Sequence, residues 1–428
     1  MLVRYDKCRK GSRGRTATES RMVKLRYTPF FFIFCFSLLH CAKLARQNSV
    51  QSMMTQGGLR PGYVGDKACI RCHQTEGLSY LHTSHHLTSQ WADKASVLGN
   101  FLNGSNILII HDPAAKNGEP GLYFKMEQKD GRYYETAVTG WAPDLERRSE
   151  PIDIVIGSGV RGLTYLYWDE DRLYELPVSY WKAGHRWINS PGYEDGTANF
   201  SRPVTPRCME CHAAYLQPLF SDPLMNAYNK DSFVPGIACE TCHGPGQKHL
   251  SKQTAGLGAK GDGTILNPAE FPRERQMDLC ALCHNGVQRE EIAPAFSYVP
   301  GEPLSQYFRP LPASSEEHPD VHGDQIGLLE KSRCYRESKT MTCSTCHDVH
   351  AAEKTAAFYS QRCLQCHAWQ SCGKAKVLGA KIRQNCTTCH MPVEPTQVIV
   401  SKTAGKEIRA MMRNHWIKVY PEIHIQSY

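Results

Sequence analysis

Seven times along the chain two cysteines stand three apart with a histidine directly after the second: Cys69/Cys72/His73, Cys208/Cys211/His212, Cys239/Cys242/His243, Cys280/Cys283/His284, Cys343/Cys346/His347, Cys363/Cys366/His367 and Cys386/Cys389/His390. With Cys and His each near ~4% of residues, a shuffled chain shows on the order of 0.04 such matches, so the pattern is not accidental. Cys-x-x-Cys alone fits half a zinc site, a redox dithiol or a disulfide, but none of these needs a histidine behind every pair. Covalent haem attachment does. Two thiols add to two vinyl groups on one edge of the macrocycle, and the adjacent imidazole turns under the ring to bind iron. The spacing predicts seven covalently attached haem c groups, with fourteen of the nineteen cysteines as tethers and the seven motif histidines as proximal iron ligands.

Each iron then has a second axial position to fill. Outside the motifs and the N-terminal segment lie His82, His85, His86, His111, His185, His249, His318, His322, His350, His415 and His424. His350 follows His347 by three residues, a reach of roughly 10 Å, which is too short to pass round the macrocycle to the far side of the same iron. His249 follows His243 by six, roughly 20 Å of extended chain, but Gly244-Pro245-Gly246 favours a turn. Both are expected to serve a neighbouring iron. The distal candidates are His85, His249, His322, His350 and His415, with His82 and His86 as rivals of His85. His111, His185, His318 and His424 read as surface or hydrogen-bonded residues. Met391 directly follows His390, cannot reach round, and reads as packing. Mostly bis-histidine, low-potential haems are expected, and no residue is nominated as catalytic.

The elements that must position these groups follow from the pattern between motifs. One motif lies at residue 69, then none until 208, then six up to 390. The expected fold class is a multihaem cytochrome c: loop-rich, mainly short α-helices packed around covalent haems, with a small β-hairpin insert. The expected divisions are an export signal at 1–45, a linker at 46–60, a first haem segment at 61–98, a β-rich insert without a haem motif at 99–200, and a six-haem domain at 201–428. Alternation around Asp130-Gly131 within 122–138 predicts a tight hairpin, as does 162–181 with its turn at Asp169 to Asp171. Residues 76–90 read as a helix that puts His82 and His86 on one face. Residues 253–275 and 288–325, rich in Gly, Pro and charge, read as surface loops. Cys334 and Cys372, left over beside the tethers, are a candidate disulfide in an oxidising compartment.

The formal charge of +8 is concentrated at the N-terminus: residues 1–26 hold nine Lys or Arg against two acids, leaving 41 basic and 40 acidic residues in the rest. That balance, with two propionates on every haem, gives no argument for a nucleic-acid partner. Residues 28–42 form an apolar run after a basic stretch, too short for the roughly 20 residues of a membrane span and suited to a signal peptide. Met22 is a second candidate start. The cleavage pattern is poor, and Leu38-Leu39-His40-Cys41 only loosely matches a lipoprotein acceptor, so a membrane tether through this segment stays open. Each alternative places the haem region in the bacterial periplasm or otherwise outside the cytoplasm.

YVGDKACIRCHQTEGLSYLHTSHH at 63–86 resembles the opening of the cytochrome c-554-type domain, in which a histidine after the first motif is a distal ligand; His85 is the matching position. IGSGVRGLTYLYWDEDRLYELPVSYW and FSRPVTPRCMECHAAY resemble a bacterial group of multihaem cytochromes often fused to tetratricopeptide repeats, which are absent here. GIACETCHGPGQKH, TCSTCHDVH and NCTTCHMP, with the later His415, are similar to the superfamily of hydroxylamine oxidoreductase and cytochrome c nitrite reductase. The resemblance covers roughly residues 61–418. It departs from the nitrite reductases in lacking Cys-x-x-Cys-Lys, and no tyrosine can be matched to the crosslinked one of hydroxylamine oxidoreductase. The expected function is an exported heptahaem cytochrome carrying electrons between redox partner proteins. The alternative is an oxidoreductase acting on a small nitrogen or sulfur compound at one five-coordinate haem, with residues 99–200 as a pocket wall.

Overall fold

A computed structural model describes residues 60–111, 121–286, 290–309, 320, 322–352 and 354–420. The expected signal, Met22, nearly all of the linker, Cys8, Cys35, Cys41, His318 and His424 lie outside the described residues. Within them no helix is long and apolar enough to cross a membrane.

The chain between the first and second motifs folds as sheet. Ile107–His111, Gly121–Lys129, Arg132–Trp141 and Asp144–Pro151 form a four-stranded antiparallel meander. Its central turn is Asp130-Gly131, both at positive φ (50° and 77°), the geometry that a two-residue hairpin needs and that Asp-Gly adopts most readily. A seven-stranded sheet is built around Gly162–Asp169, which pairs on one side with Ile154–Ile156 and on the other with Arg172–Glu175 and Val178–Trp181. Ser89–Trp91, Arg186–Asn189 and Arg202–Pro203 complete it. Alternate residues point inward as the two-residue strand period requires, so Phe124, Met126, Tyr165, Leu176 and Phe200 are almost wholly buried in one core. Truncating one such aromatic to alanine costs about 3–5 kcal/mol.

This sheet content corrects the expected fold class. The insert is no small hairpin but two sheets with their own core, and two further antiparallel pairs, Ala213–Pro218 with Tyr228–Pro235 and Val393–Thr403 with Lys406–Arg413, lie among the haem motifs. The helices are short as expected, the longest described being the twelve-residue Arg273–His284.

Two local expectations also change. The helix after the first motif ends at Tyr80, and a one-turn 3-10 helix, His86–Thr88, leads into a strand. Thr83 is the cause: its hydroxyl donates to Tyr80 O at 2.8 Å and accepts from His86 N at 3.2 Å, an alternative to helical pairing that Ser and Thr offer the backbone. His82 is then exposed and His86 buried, so they share no helix face. Residues 290–309, read as surface loop, bury Phe296, Tyr298, Leu304 and Phe308. The last three pack with Met277, Ala281 and Leu282 of the helix Arg273–His284.

Candidate haem sites

Every motif makes one helical turn. Cys208–His212, Cys239–His243, Cys280–His284 and Cys386–His390 lie within or fill α-helices. Elsewhere the turn is closed by single bonds, such as His73 N donating to Cys69 O at 2.9 Å, His347 N to Cys343 O at 2.9 Å and His367 N to Cys363 O at 3.0 Å. Residues three and four apart share a helix face. The turn therefore puts both thiols and the imidazole on one side, which is what one macrocycle edge and its iron require.

The seven motifs all line one cavity of about 4260 Å³, where a single small-molecule pocket runs to about 300–1,000 Å³. His85, His249, His322, His350 and His415 line it too; His82, His86, His111 and His185 do not. The seven-stranded sheet supplies part of its wall through Ile156, Leu163, Leu166 and Ile188.

The histidines face one another in pairs. Ring centres are 6.3 Å apart for His73 and His249, 6.0 Å for His243 and His350, 6.2 Å for His347 and His415, and 6.0 Å for His284 and His85. The first three pairs have nearly parallel planes, 26°, 18° and 26°, yet lie too far apart for face contact. The separation is the one that two imidazoles held on opposite sides of one metal would have. A metal–nitrogen bond of about 2 Å plus about 1.1 Å from nitrogen to ring centre, counted twice, gives about 6.2 Å. The donor set therefore fits haem iron. His322 is near enough to His212 to disfavour its protonated form. None of the paired histidines faces the motif next to it in sequence. His367 and His390 have no such partner from His82, His86, His111 or His185, which lie off the cavity.

Second-sphere bonds orient these rings. His243 Nδ1 donates to Leu266 O at 2.9 Å, His390 Nδ1 to Lys418 O at 2.8 Å and His415 Nδ1 to Arg413 O at 3.1 Å. A carbonyl can only accept, so the proton sits on Nδ1 and the Nε2 lone pair is left for metal. His212 Nδ1 meets Thr88 Oγ1 at 3.0 Å, His249 Nδ1 meets Thr264 Oγ1 at 3.3 Å, and His284 bonds the Gln325 side chain. Desolvation pulls His85, His212 and His415 down to about 4, and lowers His243, His284 and His322 as well. Each is neutral at pH 7, as a ligand must be.

Cysteines of different motifs also come close enough to shift one another's titration: Cys69 with Cys239, Cys211 with Cys283 and Cys280 with Cys343. Cys334 and Cys372 are both free thiols; Cys334 sits near Cys346 and Cys366, and Cys372 near Cys389.

The supporting residues were not singled out from the sequence. Glu240, inside the third motif and buried, accepts from Val64 N at 3.0 Å, Gly65 N at 2.8 Å and Gly246 N at 2.7 Å, and so ties the first motif to the third. Asp66 accepts from Cys239 N at 2.9 Å and lies 3.6 Å from His86. Tyr80 donates to Ile237 O at 2.6 Å and sets its ring edge-on to His350 at 6.3 Å. The acid between the two cysteines of Cys239-Glu-Thr-Cys242 was the available signal.

Residues 190–244, spanning the second and third motifs, match the family described as cytochrome c554 and c-prime. The chain is 27% identical over 171 residues to the C-type polyheme cytochrome OmcC of Geobacter sulfurreducens, a match covering 34% of this chain and 20% of that relative. It thus spans about a fifth of that relative's length. The crystal structure of outer cell wall cytochrome OcwA superposes with a TM-score of 0.50 at 17% identity, over 83% of this chain and 80% of that one, a likeness of fold. Seven Cys-x-x-Cys-His turns around one cavity, the paired imidazoles and these likenesses agree: the chain is a multihaem c-type cytochrome, carrying covalently bound haem c.

Proposed function

We propose that the protein is an exported heptahaem cytochrome that carries electrons by haem-to-haem transfer. The observation that carries this reading is the single cavity lined by all seven motifs, with the thiol approaches 69/239, 211/283 and 280/343 bringing attachment sites together. Haem c, when bound, supplies a one-electron iron centre at each motif. The protein's part is to hold and bury it. Cys69, Cys72, Cys208, Cys211, Cys239, Cys242, Cys280, Cys283, Cys343, Cys346, Cys363, Cys366, Cys386 and Cys389 tether the macrocycles; His73, His212, His243, His284, His347, His367 and His390 are the proximal ligands. His249, His322, His350, His85 and His415 cap the first five irons in motif order 1, 2, 3, 4 and 5. The thiol approaches support an order of sites 1–3 and 2–4–5, and the electrostatic influence of Cys242 on Cys280 supports a link from 3 to 4.

Export is supported by the sequence of residues 1–45 and by the outer cell wall location in the name of the structural neighbour. Redox proteins are the expected partners. The test is haem stoichiometry together with spin state: seven haems and a mainly low-spin resting spectrum are expected, and a mainly high-spin spectrum overturns the reading.

A second reading, an oxidoreductase acting on a small nitrogen or sulfur compound at a five-coordinate haem, is favoured at one place only. His367 and His390 are the two motif histidines without a described partner ring. A spectral change with nitrite, hydroxylamine or sulfite that vanishes on removing the sixth or seventh haem supports it; no high-spin haem removes it.

A further inference from the structure

The near balance of charge beyond the N-terminus conceals a strong polarity. Residues 60–353 carry 28 Lys or Arg against 37 Asp or Glu, a net of 28 − 37 = −9, while residues 354–428 carry 11 against 3, a net of 11 − 3 = +8. The stretch 354–393, which holds the sixth and seventh motifs, contains Lys354, Arg362, Lys374, Lys376, Lys381 and Arg383 and no acid.

These six divide by position. Lys354, Arg362 and Lys374 line the cavity, where they can meet haem carboxylates; Lys376, Lys381 and Arg383 do not line it and are exposed. None of the last three enters an ion pair among the described residues. Their backbone is pinned between the two motifs. Lys376 lies in the helix Ala375–Leu378, and the other two in the 3-10 segment Gly379–Gln384. Between Lys381 and Arg383, Ile382 is buried, with its carbonyl 3.7 Å from Cys386 Sγ. The Arg383 carbonyl accepts from Gln361 Nε2 at 3.4 Å, and Cys386 N donates to Ser360 Oγ at 3.0 Å; Gln361 and Ser360 belong to the helix Ala356–Cys363 that delivers the sixth motif. Three unpaired cations are thus fixed on the surface where the last two motifs meet.

Like charges gathered without partners cost stability and raise the capture rate of an opposite surface by about 10–10³-fold. Complexes that pass single electrons use small, weakly bound interfaces, in which steering matters more than buried area. We infer that Lys376, Lys381 and Arg383 form the docking face for an acidic redox protein, which exchanges electrons with the chain through its sixth and seventh haem sites. The step is a one-electron outer-sphere transfer: the partner's centre loses one electron, one ferric iron of the chain becomes ferrous, and no bond or proton changes place. This inference rests on the electron-carrier reading.

The test uses the full haem-loaded protein and a reduced plant-type ferredoxin, an acidic one-electron donor, in stopped flow. The expected second-order rate constant falls steeply with ionic strength, and the triple variant K376E/K381E/R383E lowers it at least about tenfold at low salt. A basic soluble cytochrome c oxidising the reduced protein shows the opposite change. Reversing Lys94 and Arg147, exposed in the acidic part of the chain, leaves both rates within about twofold. Should the triple variant lose haem, K376Q/K381Q/R383Q replaces it, with an intermediate loss expected. Rates that ignore both salt and the variants overturn the docking face while leaving the electron carrier intact. Failure to exchange electrons with either protein overturns the electron carrier first. Variant-sensitive binding to DNA or to anionic phospholipid vesicles, with ferredoxin rates unaffected, also overturns the proposal.

Discussion

His249 faces His73 across 6.3 Å between ring centres, although it lies only six residues beyond His243. His243 itself faces His350, which lies only three residues beyond His347, and His347 faces His415. Each short loop after a motif therefore hands its histidine to a different site. The Gly244 backbone makes the first handover possible: at φ 70° it ends the motif helix, and the helix Gln247–Thr254 then carries His249 away from His243.

Replacing His249 with alanine is expected to convert one haem to high spin, and that haem is the one on Cys69 and Cys72. Assigning the perturbed haem by proteolysis with mass spectrometry, or by paramagnetic NMR, checks this. A change confined to the haem of His243 contradicts the pairing. H350A is expected to act on the haem of His243, and the double variant to give two high-spin haems with effects that add.

Much of this arrangement is local and readable, and the rest is not. The motif turn and the Asp130-Gly131 hairpin follow from residues within about four positions of one another, so spacing and turn chemistry expose them. The cavity histidines could be narrowed by reach, because chain length limits which iron a histidine can serve. Their pairing depends on contacts between residues far apart in the chain, such as 68 positions for His347 with His415 and 176 for His73 with His249, and no local pattern encodes that. The two sheets were underestimated because strands such as Ile154–Ile156 and Arg202–Pro203 are too short to show alternation. Phe296 and Phe308 are hidden from a local reading because single aromatics among prolines and charges resemble loop until their partners are known, the strand cluster around Leu216 and Phe233 for Phe296 and the helix Arg273–His284 for Phe308.

Removing the Glu240 carboxylate should loosen the first and third sites together. E240A strands three backbone N–H groups, two on Val64 and Gly65 and one on Gly246, in a place where the side chain is 3% exposed. At about 1–3 kcal/mol for each buried unsatisfied donor, a loss on the order of 3–5 kcal/mol is expected. Denaturant unfolding followed by visible absorption measures it. E240Q, which keeps an acceptor oxygen, is expected to lose less than half as much; an E240A midpoint equal to wild type contradicts the bridging role.

Glu175 gives a pH signature distinct from any haem ligand. Desolvation raises its carboxyl to about 7, against the opposing pull of Arg202, whose guanidinium lies 3.2 Å away. The folded form holds this proton more tightly than the unfolded form, so the stabilisation is complete below about pH 4.5 and is lost as pH rises through about 7. A shift of this size corresponds to on the order of 3 kcal/mol. E175Q cannot ionise, and its stability measured from pH 4.5 to 8 is expected to be flatter than wild type by that amount. Parallel curves contradict the assignment.

The last prediction concerns a residue that does not line the cavity. Gly236 stands at φ 67°, and a Cβ placed there meets the His86 carbonyl oxygen at 1.9 Å, far inside any tolerable contact. Its N–H donates to Ser89 Oγ at 2.9 Å, and the next residue, Ile237, donates its N–H to His85 O at 3.0 Å. The backbone of residues 85–89 is therefore laid directly against residues 236–237, and this contact sets the height at which His85 meets His284. An alanine at 236 must push the two segments apart and can be accommodated only by moving His85. G236A is expected to fold, because the change adds only one methyl, but to turn the haem of His284 partly or wholly high-spin while leaving the haem of His243 low-spin. Resonance Raman spin-state markers, with the haem assigned by combining G236A with H85A, check this. If the two changes give no more high-spin haem together than H85A alone, the effect runs through His85; if they add, Gly236 acts on another site.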